Sequence, residues 1–165
     1  IDPNRAKEQV KSVSEVVREG IQDVRGSLNR LRPGALEGRT LKDALEKMIR
    51  EYQTLSNLQV DLHYEWVDVD MDVMIEDTIF RVIQESMTNA VRHGHASQLK
   101  LHFFEDKENY LIALQDNGVG FKTLTYGYGL KQMMERISIL GGQLQFESRD
   151  GFFTRVSLPK YKEGR

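Results

Sequence analysis

Between residues 4 and 31, apolar side chains recur at Val10, Val13, Val17, Ile21, Val24, Leu28 and Leu31, with charged and polar residues filling the positions between them. Steps of three and four put these residues on one helical stripe. Pro33-Gly34 ends the pattern, removing a backbone donor and loosening the chain. A lone helix has nowhere of its own to bury such a stripe. Two readings stand: it packs on the rest of the chain, or on a copy of itself in a helical bundle. A second helix is predicted over about 41–55, capped by Thr40 and repeating Leu41, Ala44, Leu45, Met48, Ile49 and Tyr52 at helical spacing. Next, Val60, Leu62, Tyr64 and Trp66 alternate with Asp61, His63 and Glu65, the signature of a strand with one wet face.

A third helix is predicted over about 74–93, burying Ile75, Ile79, Val82, Ile83, Ser86 and Ala90. Leu99, Leu101 and Phe103, then the apolar run 111–114, predict two antiparallel strands around a polar turn at 106–109. Leu130, Met133, Met134, Ile137 and Leu140 predict a fourth helix stopped by Gly141-Gly142. Two last strands, at 144–146 and 154–158, flank the turn Arg149-Asp150-Gly151, and 160–165 reads as a frayed tail. Helices mixed with antiparallel strands imply an α+β fold, a sheet layer covered by a helix layer. The division predicted is a first helix at 1–34 and one domain at 35–165.

Composition narrows the function. The chain has 165 residues, 23 Lys and Arg against 25 Asp and Glu, and a formal charge of -2, so no global field favours nucleic acid or a membrane surface. Recognition must come from a local site. With no cysteine there is no disulfide scaffold and no thiolate metal centre. No apolar run approaches the roughly 20 residues of a membrane span.

Three segments carry candidate chemistry. In the first, residues 84–93, Glu85 and Asn89 lie four apart, about 40° apart on a helix surface. A carboxylate beside an amide oxygen can hold a hard cation and orient a water or hydroxyl, although a solvated polar pair is the commoner meaning of that spacing. In the second, Asp116-Asn117-Gly118-Val119-Gly120-Phe121, a carboxylate at a strand end precedes a glycine-rich turn. It could accept a hydrogen bond from an exocyclic amine such as that of adenine, with Gly118 and Gly120 admitting close backbone approach; a plain tight turn reads the same way. In the third, Gly127-Tyr128-Gly129-Leu130 opens a helix, where unpaired N–H groups and the helix dipole favour phosphate. Neither a Rossmann fingerprint nor a Walker lysine is present.

Cation site, amine acceptor and phosphate loop thus follow one another along the chain, and from about residue 39 to 159 the sequence resembles the catalytic ATP-binding domain of bacterial sensor histidine kinases. The three segments are similar to that family's N, G1 and G2 boxes. Met134-Glu135-Arg136-Ile137 with Leu140-Gly141-Gly142 is similar to the stretch after the G2 box in the subfamily of nitrate sensors and the lipid-fluidity sensor DesK. The resemblance implies the Bergerat α/β sandwich, shared with gyrase, Hsp90 and MutL. It implies ATP and Mg²⁺ as cofactors, with Asn89 on the metal, Glu85 as base or water-orienting group, and Asp116 on the adenine amine. It further implies that Gly118 and Gly120 shape the adenine pocket, that Gly127, Gly129 and Leu130 form the lid, and that Arg92 and His93 lie by the phosphates. Thr154 is similar to the threonine that closes the adenine site, although this chain has Phe153 where the family usually carries a glycine.

On the same grounds, residues 4–31 resemble the second helix of a dimerisation and phosphoacceptor bundle. That implies a homodimer, a response regulator as partner, and a cytoplasmic location within a sensor anchored in the membrane. It also implies an acceptor histidine ahead of Asn4, because His63 and His102 fall on strands and His93 and His95 at a helix end. Two rivals stand beside this reading: a serine-directed kinase or ATPase of the same fold, and a nucleotide-binding dimerisation module without transfer.

Overall fold

The computed structural model describes residue 36 and residues 38–67 and 69–160. The chain divides into two units, 1–35 and 36–165, and the second carries every element described. The predicted first helix, its bundle role and the 161–165 tail lie outside the described residues.

Helix α1, Leu41–Leu55, starts where Thr40 Oγ1 accepts the Asp43 N–H at 3.2 Å and donates to its carboxylate at 2.8 Å, which satisfies one orphan donor of the first turn. Its buried face is Leu41, Ala44, Leu45, Met48 and Ile49. Helix α2, Val73–Arg92, is capped by Asp72 and buries Ile79, Phe80, Val82, Ile83, Ser86, Met87 and Ala90. Helix α3, Tyr128–Ile139, has no side-chain cap at Gly127 and buries Met133 and Ile137. Gly141, at φ 69°, ends it in the left-handed conformation that glycine adopts without strain.

Strands β1 (Gln59–Tyr64), β2 (Gln98–Glu105), β3 (Asn109–Asp116), β4 (Gln143–Ser148) and β5 (Phe152–Pro159) form one sheet in the order β1-β2-β3-β5-β4. Only β1 and β2 pair in parallel. The register stacks Tyr64, Phe103, Ile112, Val156 and Leu144 in one row across the inner face, and Leu62, Leu101, Leu114, Thr154 and Phe146 in the next. The alternate positions, among them Asp61, Lys100, Gln115 and Glu147, point to the other face. The sheet therefore buries its inner side against the helices, with Leu45, Ile79, Ile83, Phe103, Ile112 and Ile137 almost wholly inaccessible. This is the two-layer α/β sandwich, and it has a consequence for function. The ends of β3 and β5, the C-terminal half of α2 and the start of α3 meet at one edge.

Candidate functional site

At that edge lies a cavity of about 400 Å³, lined by Glu85, Ser86, Asn89 and His93 from α2 and its cap, Asp116 from β3 and Thr154 from β5. Gly120, Phe121, the 123–125 stretch, Gly127, Tyr128, Gly129 and Leu130 close another side. A volume of this size suits a small-molecule ligand.

Asp116 is the most constrained of these groups. It is buried, and its Oδ1 accepts two backbone N–H bonds, from Gly118 at 2.8 Å and from Phe152 at 3.0 Å. Oδ2 has no hydrogen bond from the described residues and is not sealed from solvent, so it remains an acceptor for whatever enters the cavity. Thr154 sits across the sheet, paired with Leu114, and its hydroxyl likewise meets no protein partner among the described residues.

The loop after Asp116 is pinned on two sides. Asn117 Oδ1 accepts the Ser97 and Gln98 N–H groups, both at 2.9 Å, and Val119 N–H donates to Gly94 O at 3.0 Å. Gly118 crosses Gly94 so closely that a Cβ there would overlap the Gly94 carbonyl oxygen, which explains a glycine at that position. On the other side, Gly151 at φ 134° packs against the Asp116 carbonyl.

Helix α2 brings Glu85 and Asn89 to the cavity one turn apart, with the exposed His93 one turn further on as C-cap. Thr88, between them on the helix, turns away and bonds Tyr52 of α1 at 2.7 Å, tying this stretch of α2 to the helix layer. Oxygen donors from Asn89 and Glu85 suit a hard cation completed by ligand and water oxygens; among the described residues no cluster of three or more acidic or histidine side chains could hold a metal unaided. The uncapped first turn of α3 turns its N–H groups and the positive end of its dipole to the same space.

Of the residues singled out in the sequence, Glu85, Asn89, His93, Asp116, Gly120, Gly127, Gly129, Leu130 and Thr154 line this one cavity. Arg92 and Gly118 do not; Gly118 acts from behind, through its N–H to Asp116. Ser86, Leu99, Leu114 and Met133 read as core in the sequence, and they form the cavity's apolar wall. Phe152 carries no sequence signal beyond a strand start, yet its ring meets Phe121 at 5.3 Å and Phe146 at 5.5 Å, making an aromatic side to the site.

Residues 74–162 match the family described as histidine kinase-, DNA gyrase B-, and HSP90-like ATPase. Among curated relatives, the signal transduction histidine-protein kinase/phosphatase UhpB of Salmonella typhimurium is 34% identical over 163 residues, covering 95% of this chain and 32% of that protein. The sensor histidine kinase LiaS of Bacillus subtilis is 28% identical, covering 94% and 43%. The chain thus spans under half the length of these relatives. Among solved structures, the histidine kinase AdeS of Acinetobacter baumannii superposes with a TM-score of 0.64 at 21% identity, over 98% of this chain and 87% of that one. The histidine kinase domain of the blue-light activated EL346 protein of Erythrobacter litoralis gives 0.62 at 18% identity, over 72% and 60%. At such identities the superpositions speak for the fold.

Proposed function

The chain belongs to the family of histidine kinase-, DNA gyrase B- and HSP90-like ATPases, and from that premise we propose that it is the ATP-binding kinase domain of a two-component sensor, transferring the γ-phosphoryl group of ATP to a histidine on a helical bundle. The observation that carries this reading is the cavity shared by Glu85, Asn89, Asp116, Thr154 and the first turn of α3. The open oxygen of Asp116 takes the exocyclic amine of adenine, with the Thr154 hydroxyl beside it. The phosphates run to the N-terminus of α3, where Gly127 and Gly129 leave the backbone uncovered. The Arg92 guanidinium supplies positive charge near the end of α2, where His93 lines the cavity.

Asn89 would hold Mg²⁺ through its amide oxygen, and the ion when bound would neutralise charge on the phosphates. Glu85 takes the acceptor's proton or fixes its orientation. Little covalent work is asked of the protein, so positioning and charge carry the reaction. A response regulator then receives the phosphoryl group, residues 4–31 join two copies in a homodimer, and the domain works in the cytoplasm as part of a longer sensor. One relative named as a signal transduction histidine-protein kinase/phosphatase and another named as a sensor histidine kinase support the kinase reading.

The test is incubation with γ-labelled ATP and Mg²⁺, with and without a separately supplied acceptor-helix bundle. Acid-labile label on the bundle is the expected result. Acid-stable label on serine would point to the serine-directed kinases, and tight ATP binding with no transfer to a non-catalytic dimerisation module.

A further inference from the structure

We infer that Ser148 and Gln115 are positioning residues for the base end of the nucleotide: together they clamp the turn at 149–151 onto the loop at 116–121, fixing both Asp116 and the point where the lid begins. The inference rests on the ATP reading above.

Two side chains bridge these segments. The Phe121 N–H donates to Ser148 Oγ at 3.0 Å, and the same hydroxyl reaches the Gly151 carbonyl at 3.5 Å. Gln115 Nε2 donates to the Asp116 carbonyl and to the Arg149 carbonyl, each at 2.8 Å. One clamp holds the loop beyond Asp116 and the other holds the strand end before it. Between them, Gly151 rests on the Asp116 carbonyl, and this approach delivers the Phe152 N–H to Asp116 Oδ1. A Cβ on Gly120, at φ 60°, would overlap both Ser148 Oγ and the Gly151 backbone carbonyl.

Neither Ser148 nor Gln115 lines the cavity, so neither touches a ligand there. Their effect passes through groups that do: the Asp116 carboxylate and the rings of Phe121 and Phe152. From Phe121 to Gly127 the chain is neither helix nor strand, so no backbone ladder steadies it. Its N-terminal end is held by the bond from Phe121 to Ser148. Losing either clamp therefore leaves the fold standing while the adenine wall and the lid hinge lose their fixed distance.

The experiment is ADP and ATP titration of the chain, wild type, Ser148→Ala, Ser148→Thr and Gln115→Ala, beside thermal melting of each without nucleotide. Ser148→Ala and Gln115→Ala are expected to weaken ADP and ATP by the same factor, about 3- to 10-fold, through faster release. Mg²⁺ dependence and nucleotide-free melting stay near wild type, and Ser148→Thr, which keeps the hydroxyl, recovers most of the affinity. Protection of residues 122–126 from proteolysis at saturating ATP should fall in the alanine variants. Wild-type affinity in both, or a loss that merely tracks a fall in melting temperature, would overturn the inference while leaving the ATP reading intact. A wild-type chain that binds neither nucleotide would overturn the ATP reading and this inference with it.

Discussion

A methyl group placed on Gly129 would overlap the Glu85 carboxylate oxygen Oε1, so the first turn of α3 rests directly on the acidic side chain of α2. The bare Cα allows the helix that begins beyond the lid segment to abut the residue proposed to handle the proton. Movement of one is then felt by the other.

Gly129→Ala tests that coupling. The carboxylate is the end of a flexible side chain and can swing aside, so the fold should survive, with Glu85 displaced. Transfer to an acceptor bundle is expected to fall on the order of 10²-fold, as misplacement of a reacting group by about 1 Å does. The ATP dissociation constant should change much less. Equal losses in binding and transfer would mean that the glycine serves the phosphates alone.

Asp116→Asn should keep Oδ1 for the Gly118 and Phe152 N–H groups while offering an amide in place of Oδ2. An amide donor facing the adenine amine forfeits a bond to a charged acceptor worth about 1.5–3 kcal/mol. Calorimetry should show ATP affinity reduced roughly 10- to 100-fold, with melting of the nucleotide-free chain little altered. Unchanged affinity would remove Asp116 from the adenine site.

Much of this architecture is legible in the amino-acid sequence. The alternation of Val60, Leu62 and Tyr64 and the stripe Ile79, Val82, Ile83 and Ser86 each announce an element and its buried side. Alternation identifies a face and not a neighbour, which is why neither the parallel pairing of β1 with β2 nor the insertion of β5 between β3 and β4 follows from it. Glu85 and Asn89 are marked in the sequence by their four-residue spacing on a helix, and Asp116 by its place between an apolar strand and a glycine-rich turn. Ser148, Gln115 and Phe152 are ordinary residues at a strand end or start. Their importance arises when a turn some 30 residues away in sequence folds back on Asp116, and no local pattern encodes that meeting.

Glu76 gives a pH dependence away from the site. Burial first, then the charge of Asp70, hold its carboxyl above the ordinary range, against a lowering hydrogen bond from the Leu41 N–H. Burial, with help from Glu76, also pushes the Tyr64 hydroxyl up to about 12. An acid whose folded pKa is raised favours the folded state below its unfolded pKa, and that contribution is lost as pH rises through the folded value. Glu76→Gln keeps an acceptor for Leu41 and removes the charge. It should stabilise the domain at neutral pH by on the order of 0.5 kcal/mol, small because the group is partly exposed, with the difference from wild type closing towards pH 4. Parallel melting curves across that range would refute the assignment.

The last prediction separates binding from chemistry on one face of α2. Glu85 and Asn89 line the same cavity from successive turns, so a solvated polar pair and a working pair make opposite forecasts when each is changed alone. Glu85→Gln preserves shape but cannot take a proton, so nucleotide affinity should hold while transfer drops on the order of 10²-fold or more. Asn89→Ala removes an oxygen donor from the cation, so the gain in ATP affinity on adding Mg²⁺ should shrink, and with it transfer. Titrations with and without Mg²⁺, run beside single-turnover transfer, read the two effects independently. If both variants lose a similar, small fraction of transfer and both retain the full Mg²⁺ effect, the pair is merely solvated surface and the proton and metal roles belong elsewhere in the cavity.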